Sequence, residues 1–267
     1  LLPFKKEKQL VLGELDKLER STSAHIQLNI KDKPKAKREP KISVDPVGWH
    51  NYKMPIDDSG SGKEAWLMNR GHLVGYQFSG LDNELRNLTP MTALLNTGSL
   101  SDKDSSNQNA MLFYENNLAD WINAHPNDWL DYKVTPIYQG DELIPRQVEL
   151  QYAGIKSDGT KQEKIDEEGV THVILENTSP NARIDYATGN AEPLFAKKKV
   201  ETTEATTVNQ EEKITVYVAN KGKSDVYWYY KENMPANTNK KNVVEMTEAE
   251  AKRQGKVHTS KEKRYRP

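Results

Sequence analysis

Arg70, Gly71 and His72 stand together in the stretch Trp66-Leu67-Met68-Asn69-Arg70-Gly71-His72-Leu73-Val74-Gly75-Tyr76, which opens apolar like a strand and closes on a second glycine. A guanidinium grips an anion through a fixed fork, and an imidazole two residues on titrates near neutrality and can take a proton from water. Phosphate chemistry can use such a pair. Arg-Gly-His by itself also describes a polar surface turn, so the weight rests on the residues downstream of it. Asn87-Leu88-Thr89-Pro90-Met91 comes next, then Asn96 nine residues after Asn87, then Glu115 in the helix-like run Phe113-Tyr114-Glu115-Asn116-Asn117.

Taken in order, these elements resemble the DNA/RNA non-specific endonucleases of the ββα-metal class. Gly48-Trp49-His50-Asn51 upstream and Ile184-Asp185-Tyr186-Ala187-Thr188-Gly189 downstream resemble the secreted streptococcal branch, the streptodornases and DNA-entry nucleases. The likeness covers most of Ser21 to Glu192. Phosphodiester hydrolysis needs an activated water, charge relief on the phosphoryl oxygens and stabilisation of the leaving 3′ oxygen. The resemblance implies that His72 is the general base and that Asn96 is the one direct protein ligand of Mg²⁺, other divalent cations substituting. Glu115 and Asn87 would orient the cation's waters, and Arg70 would bind the scissile or a neighbouring phosphate. Asn69 stands where the family's commonest motif has aspartate, which removes a negative charge from the site. The implied protein is a secreted, monomeric endonuclease that cuts DNA without sequence preference, with RNA as a second candidate, leaving 5′-phosphate ends. The alternative is a catalytically silent nucleic-acid or cell-surface binding protein on the same fold; the intact His72, Asn96 and Glu115 favour the enzyme.

Composition narrows the chemistry. The chain has no cysteine, which excludes disulfides, thiolate zinc sites and cysteine nucleophiles. Its six histidines are scattered without a close pair, so a hard cation held by oxygens and water fits better than zinc. No apolar run approaches the roughly 18 residues of a membrane span, and the N-terminus lacks a signal peptide's apolar core, as in a mature secreted chain. A net charge of −1 is unusual for a protein that meets a polyanion. Local basic clusters remain, one at Lys33, Lys35, Lys37, Arg38 and Lys41, the other at Lys252, Arg253, Lys256, Lys261, Lys263, Arg264 and Arg266.

The elements that must position these residues form an α+β pattern, a ββα-metal nuclease fold with a central antiparallel sheet followed by a small C-terminal α/β module. Residues 1–195 are expected to hold the endonuclease domain, 196–213 a linker of low hydrophobicity, and 214–267 the module. Leu10, Leu15 and Leu18 predict an amphipathic helix over Lys5 to Arg20. Strands are expected over His25 to Ile30, Lys41 to Val44, Ala65 to Met68, Tyr132 to Tyr138, Gln147 to Ala153 and His172 to Glu176. Leu81 to Leu95 reads as an irregular crossing. Met111, Tyr114, Leu118 and Trp121 have helical period and leave Glu115 at the border of the buried stripe, facing a site without full desolvation. Trp49, His50, Asp185 and Tyr186 read as packing residues. In the module, Ile214 to Val218 and Asp225 to Tyr230 predict a hairpin, and Thr247 to Gln254 a helix closed by Gly255. The module resembles one that recurs in secreted Gram-positive proteins with metal-binding cysteines, absent here, with Met234 and His258 near the places they occupy.

Overall fold

In a computed structural model the described residues are 1–160, 165, 170–196 and 214–262. They form two compact units, Leu1–Lys197 and Lys198–Pro267. The expected linker lies, apart from its first residue, outside the described residues, as do Lys263, Arg264 and Arg266.

The first unit is built on a five-stranded antiparallel sheet of β1 (Gln9–Leu12), β2 (Ala24–Asn29), β7 (Trp129–Ile137), β8 (Gln147–Ile155) and β9 (Thr171–Glu176), in that order. Ile26, Leu28, Leu130, Tyr132, Val134, Leu150 and Tyr152 pack in one core with Phe78, Met91, Leu95, Met111, Leu118 and Ile122. The sheet is therefore the floor on which the helical side of the domain rests. Between β2 and β7 the chain makes two short ribbons, β3 (Lys53–Pro55) with β4 (Glu64–Trp66) and β5 (Met68–His72) with β6 (Leu88–Thr92). Helices α1 (Tyr76–Ser79), α2 (Ala93–Thr97) and α3 (Met111–Ala124) complete this part. A last ribbon, β10 (Ala182–Ile184) with β11 (Ala191–Pro193), belongs to a second cluster of Met54, Leu67, Met68, Ile144 and Tyr186.

The structure corrects three expectations. Lys5 to Arg20 is not a helix: Gln9–Leu12 is an edge strand in register with β2, and Asp16 closes a turn by accepting from the Leu18 and Arg20 amides. Gly13 sits where the helix would run, its N–H bonds to the Ser23 carbonyl, and a side chain there would collide with Thr22. A glycine mid-helix costs about 1 kcal/mol relative to alanine, and an open sheet edge wins. Lys41 to Val44 joins no sheet; the Ser43 amide donates to the Asn83 side chain at 2.7 Å instead. The crossing over Leu81 to Leu95 is regular after Arg86, because it contains all of β6 and the start of α2. Pro90 is tolerated in β6 because a two-stranded ribbon leaves one edge unpaired.

The second unit is a four-stranded sheet, ordered β14 (Val244–Thr247), β12 (Thr215–Val218), β13 (Val226–Trp228), β15 (Val257–His258), with α4 (Glu248–Arg253) packed over it through Ala251. Its buried Glu248 accepts from the Tyr227 and Tyr229 hydroxyls at 2.7 and 2.8 Å. His258 pairs with Glu262 at 3.1 Å and stacks on Tyr229, so its ring nitrogen has a carboxylate partner.

Candidate active site

The β5–β6 ribbon holds the Arg-Gly-His motif beside a buried core, and Gly71 allows it: a Cβ there would run into the buried Met91 side chain. His72 is buried, with Nε2 3.1 Å from the Asp82 carbonyl oxygen. A carbonyl can only accept, so Nε2 carries the proton and Nδ1 keeps the lone pair that can take another. Burial holds the imidazole below its ordinary pKa and the Arg38 charge pushes the same way, against the Asp82 carbonyl and carboxylate, which raise it. The ring is thus neutral, and a base, at neutral pH.

Two residues beyond His72 the backbone is locked. The Val74 amide donates to the Asn87 side-chain oxygen at 3.0 Å, and the Asn87 side-chain nitrogen donates to the Val74 carbonyl at 2.9 Å. The Leu73 amide bonds to the Asn87 carbonyl at 2.9 Å. Asn87 is fully buried, and its side-chain amide is engaged on both sides with the backbone of Val74.

Gly75 comes next and seats the carboxylate of α3. Its N–H donates to Glu115 Oε1 at 2.9 Å, and a Cβ on Gly75 would lie 2.6 Å from Oε2. Desolvation pushes the Glu115 carboxyl up to about 7, against the Gly75 amide and the Arg38 charge, which both lower it. The residue is half-buried, as its border position predicts, but its carboxyl is more fully desolvated than that position predicts.

Asn96 lies on α2, which Thr92 caps by accepting from the Leu95 amide and which Gly98 ends at a φ of +84°. This helix packs on β5, β6 and α3, the elements that carry the other motif residues. Asn96 is half-buried and its side chain makes no hydrogen bond among the described residues, which leaves its carbonyl oxygen unengaged. Among those residues no group of three His, Cys, Asp or Glu side chains could cage a metal. An amide oxygen on a helix packed against the one that carries Glu115 is instead a hard, sparse donor set, which fits a cation that keeps most of its waters. Arg70 is anchored, with Nε donating to Asp45 at 2.6 Å and the guanidinium 4.0 Å above the Trp49 ring. Asn69 also makes no side-chain hydrogen bond among the described residues, and strand alternation sends it to the face opposite Arg70 and His72.

The model of the DNA/RNA non-specific endonuclease family matches residues 4–157. The chain belongs to that family. Two solved structures are similar over 72% of this chain: an extracellular nuclease (46% identity, TM-score 0.58, 97% of that chain) and an extracellular endonuclease (47%, 0.58, 90%). NucA from Streptococcus agalactiae with magnesium ion bound matches at 21% identity and a TM-score of 0.50, over 72% of this chain and 80% of that one. At that distance the likeness shows the fold alone. No curated protein matches the chain.

For a member of this endonuclease family, three features of the site escape a reading of the motifs. Arg38, read as one member of a basic cluster, influences both His72 and Glu115 electrostatically and pairs with Asp82 at 3.5 Å. Its place in the basic block ahead of the motif is the signal for it. Trp49, read as packing, and Asp45 hold the Arg70 guanidinium from two sides. Asn177, fully buried, donates to the Pro90 and Pro145 carbonyls and accepts from the Thr92 amide, bracing β6 from 85 residues away. No local pattern marks that role.

Proposed function

We propose that the chain is a secreted, divalent-metal-dependent endonuclease that hydrolyses phosphodiester bonds of DNA, and of RNA, without sequence preference and as a monomer. His72 Nδ1 removes the proton from a water, whose oxygen forms the new bond to phosphorus as the bond to the 3′ oxygen breaks, leaving a 5′-phosphate. Arg70 holds a phosphate through the guanidinium edge that Asp45 leaves open, where a bidentate fork is stronger than a lysine's point charge. Asn96 would hold Mg²⁺ directly, with the Glu115 carboxylate orienting its waters. When bound, the cation supplies charge relief to the phosphoryl and departing oxygens. Arg38 adds positive charge on the same side.

The observation that most supports this reading is the His72 tautomer. A donor bond from Nε2 to the Asp82 carbonyl, in a pocket that disfavours the charged ring, prepares Nδ1 for base catalysis. Supercoiled plasmid incubated with the chain in Mg²⁺ is expected to become nicked, then linear, then short fragments, and to stay intact in EDTA. The fragments should accept a kinase label only after phosphatase treatment. Intact plasmid in Mg²⁺ refutes the activity, and fragments that label without phosphatase refute the assigned ends.

A further inference from the structure

A cavity of about 470 Å³ opens beside the motif, and none of the proposed chemistry uses it. Trp66, Lys53, Asn69, Thr97, Asp102 and Lys103 are among its walls. Trp66 is the feature that needs an explanation. It is 46% exposed, the most exposed tryptophan described, at the end of β4 with Lys53 paired across the ribbon and its ammonium 5.1 Å from the ring. A large aromatic held open on a short ribbon has no packing reason to be there. The cavity adjoins the chemistry at two points, because Asn69 precedes the phosphate-gripping Arg70 and Thr97 follows Asn96. Asn69 faces away from Arg70 across the strand, so a group it contacts belongs to a nucleotide flanking the one whose phosphate Arg70 holds and not to the scissile phosphate itself.

We propose that this cavity is a nucleobase subsite, in which an unpaired base flanking the cut stacks on Trp66 and presents its edge to Asn69. This inference rests on the nuclease reading and concerns how strands with unpaired bases are held, since a base within a duplex cannot enter and a duplex is cut without the subsite. The chemistry of the walls fits. Every base has a π-face that stacks on an aromatic ring without regard to sequence, while an unengaged amide offers both a donor and an acceptor to a base edge. Lys53 and Lys103 can meet the neighbouring phosphates. Glu64 and Asp102 balance those charges within the lining, which suits a neutral base better than a bare phosphate. A cavity of this size is within the range of sites for small ligands.

The test uses the full chain with two readouts. Steady-state cleavage of a single-stranded oligonucleotide and of the matching duplex is compared for wild type, Trp66→Phe and Trp66→Ala. Trp66→Ala is expected to raise KM for the single strand about tenfold, the order that stacking of one base supplies, with kcat nearly unchanged and duplex cleavage unaffected. Trp66→Phe should keep most of the single-strand affinity, which a merely structural role would not distinguish. Separately, His72→Ala is irradiated with a 5-iodouracil oligonucleotide, and the cross-linked peptide is expected to contain Trp66. An unchanged KM in Trp66→Ala, or a cross-link confined to residues outside the cavity, overturns the subsite. Because cross-linking reads binding alone, it decides the subsite even if the wild type fails to cut plasmid, a result that counts against the nuclease reading instead.

Discussion

Replacing Gly75 by alanine isolates the seat of Glu115 without touching any residue proposed to act on the substrate. Gly75 has a φ of −56°, which alanine adopts freely, so the backbone bears the change, and the reduced freedom of the unfolded chain acts slightly in its favour. The added methyl carbon would fall 2.6 and 2.8 Å from the two Glu115 oxygens, inside any tolerable contact. The carboxylate must swing away and lose the bond from the Gly75 amide. A hydrogen bond to a charged group contributes about 1.5 to 3 kcal/mol, a factor of roughly 10 to 150 in an equilibrium constant. Loss of a group that orients metal-bound water costs about 10- to 100-fold in metal affinity or activity, the same range. Gly75→Ala should therefore need about 10 to 100 times more Mg²⁺ for half-maximal rate, with a melting temperature lowered by roughly 3 to 12 °C as the lost bond's share of stability. Cleavage of a fluorescent oligonucleotide across a Mg²⁺ series, beside a melt followed by circular dichroism, reads both quantities. A wild-type Mg²⁺ midpoint would show that the carboxylate does not act from its place against Gly75.

His72→Ala should lower kcat by about 10²- to 10⁴-fold while the circular dichroism melt stays near wild type; wild-type-like turnover would rule out the assigned base. Because burial lowers the His72 pKa, its neutral, basic form persists to lower pH, and the His72 limb of kcat at saturating Mg²⁺ should fall below about 6.5. A limb above that value that persists in Glu115→Gln, which removes the carboxyl titrating at about 7, contradicts the buried imidazole. Asn177→Ala leaves the Thr92 amide and the Pro90 and Pro145 carbonyls without their partner, and at about 1 to 3 kcal/mol per orphaned buried group it should destabilise the domain by roughly 3 to 9 kcal/mol. A urea midpoint within error of wild type would refute this bracing. A chain ending after Lys197 keeps every residue assigned to chemistry and should cut a short oligonucleotide at close to full rate, losing activity chiefly on long DNA at low salt. Loss on both substrates by a folded truncated chain would place part of the active site in the second unit.

The motif residues were legible because each sits where local sequence dictates its setting: a glycine permits the close ribbon around His72, and a helical stripe presents Glu115. Elements whose setting depends on distant partners were not. Leu10, Leu15 and Leu18 mimic a helix period, but the open edge of β2 recruits that segment as a strand, a pairing no window of the sequence contains. Pro90 and the polar neighbours of β6 disguise a strand whose only partner among the described residues is β5. Asn87 carries the family pattern, yet the pattern alone cannot tell an amide that faces water from one that clasps the backbone of Val74. Arg38 was visible as a charge, and its relation to His72 and Glu115 needed the loop to be folded over the ribbon.

The reach of Asn177 bears on how the catalytic machinery comes into being during synthesis. Every motif residue has left the ribosome by the time Glu115 has, and the family match itself ends at residue 157. The ribbon carrying them still lacks its brace, since Asn177 lies beyond that end and Tyr186 in turn donates to the Asn177 carbonyl at 2.6 Å. Contacts of such long sequence separation close late, because the loop entropy must be overcome before they form. A growing chain thus carries every motif residue before the ribbon that holds them is braced, and that bracing waits on a stretch that contains none of them.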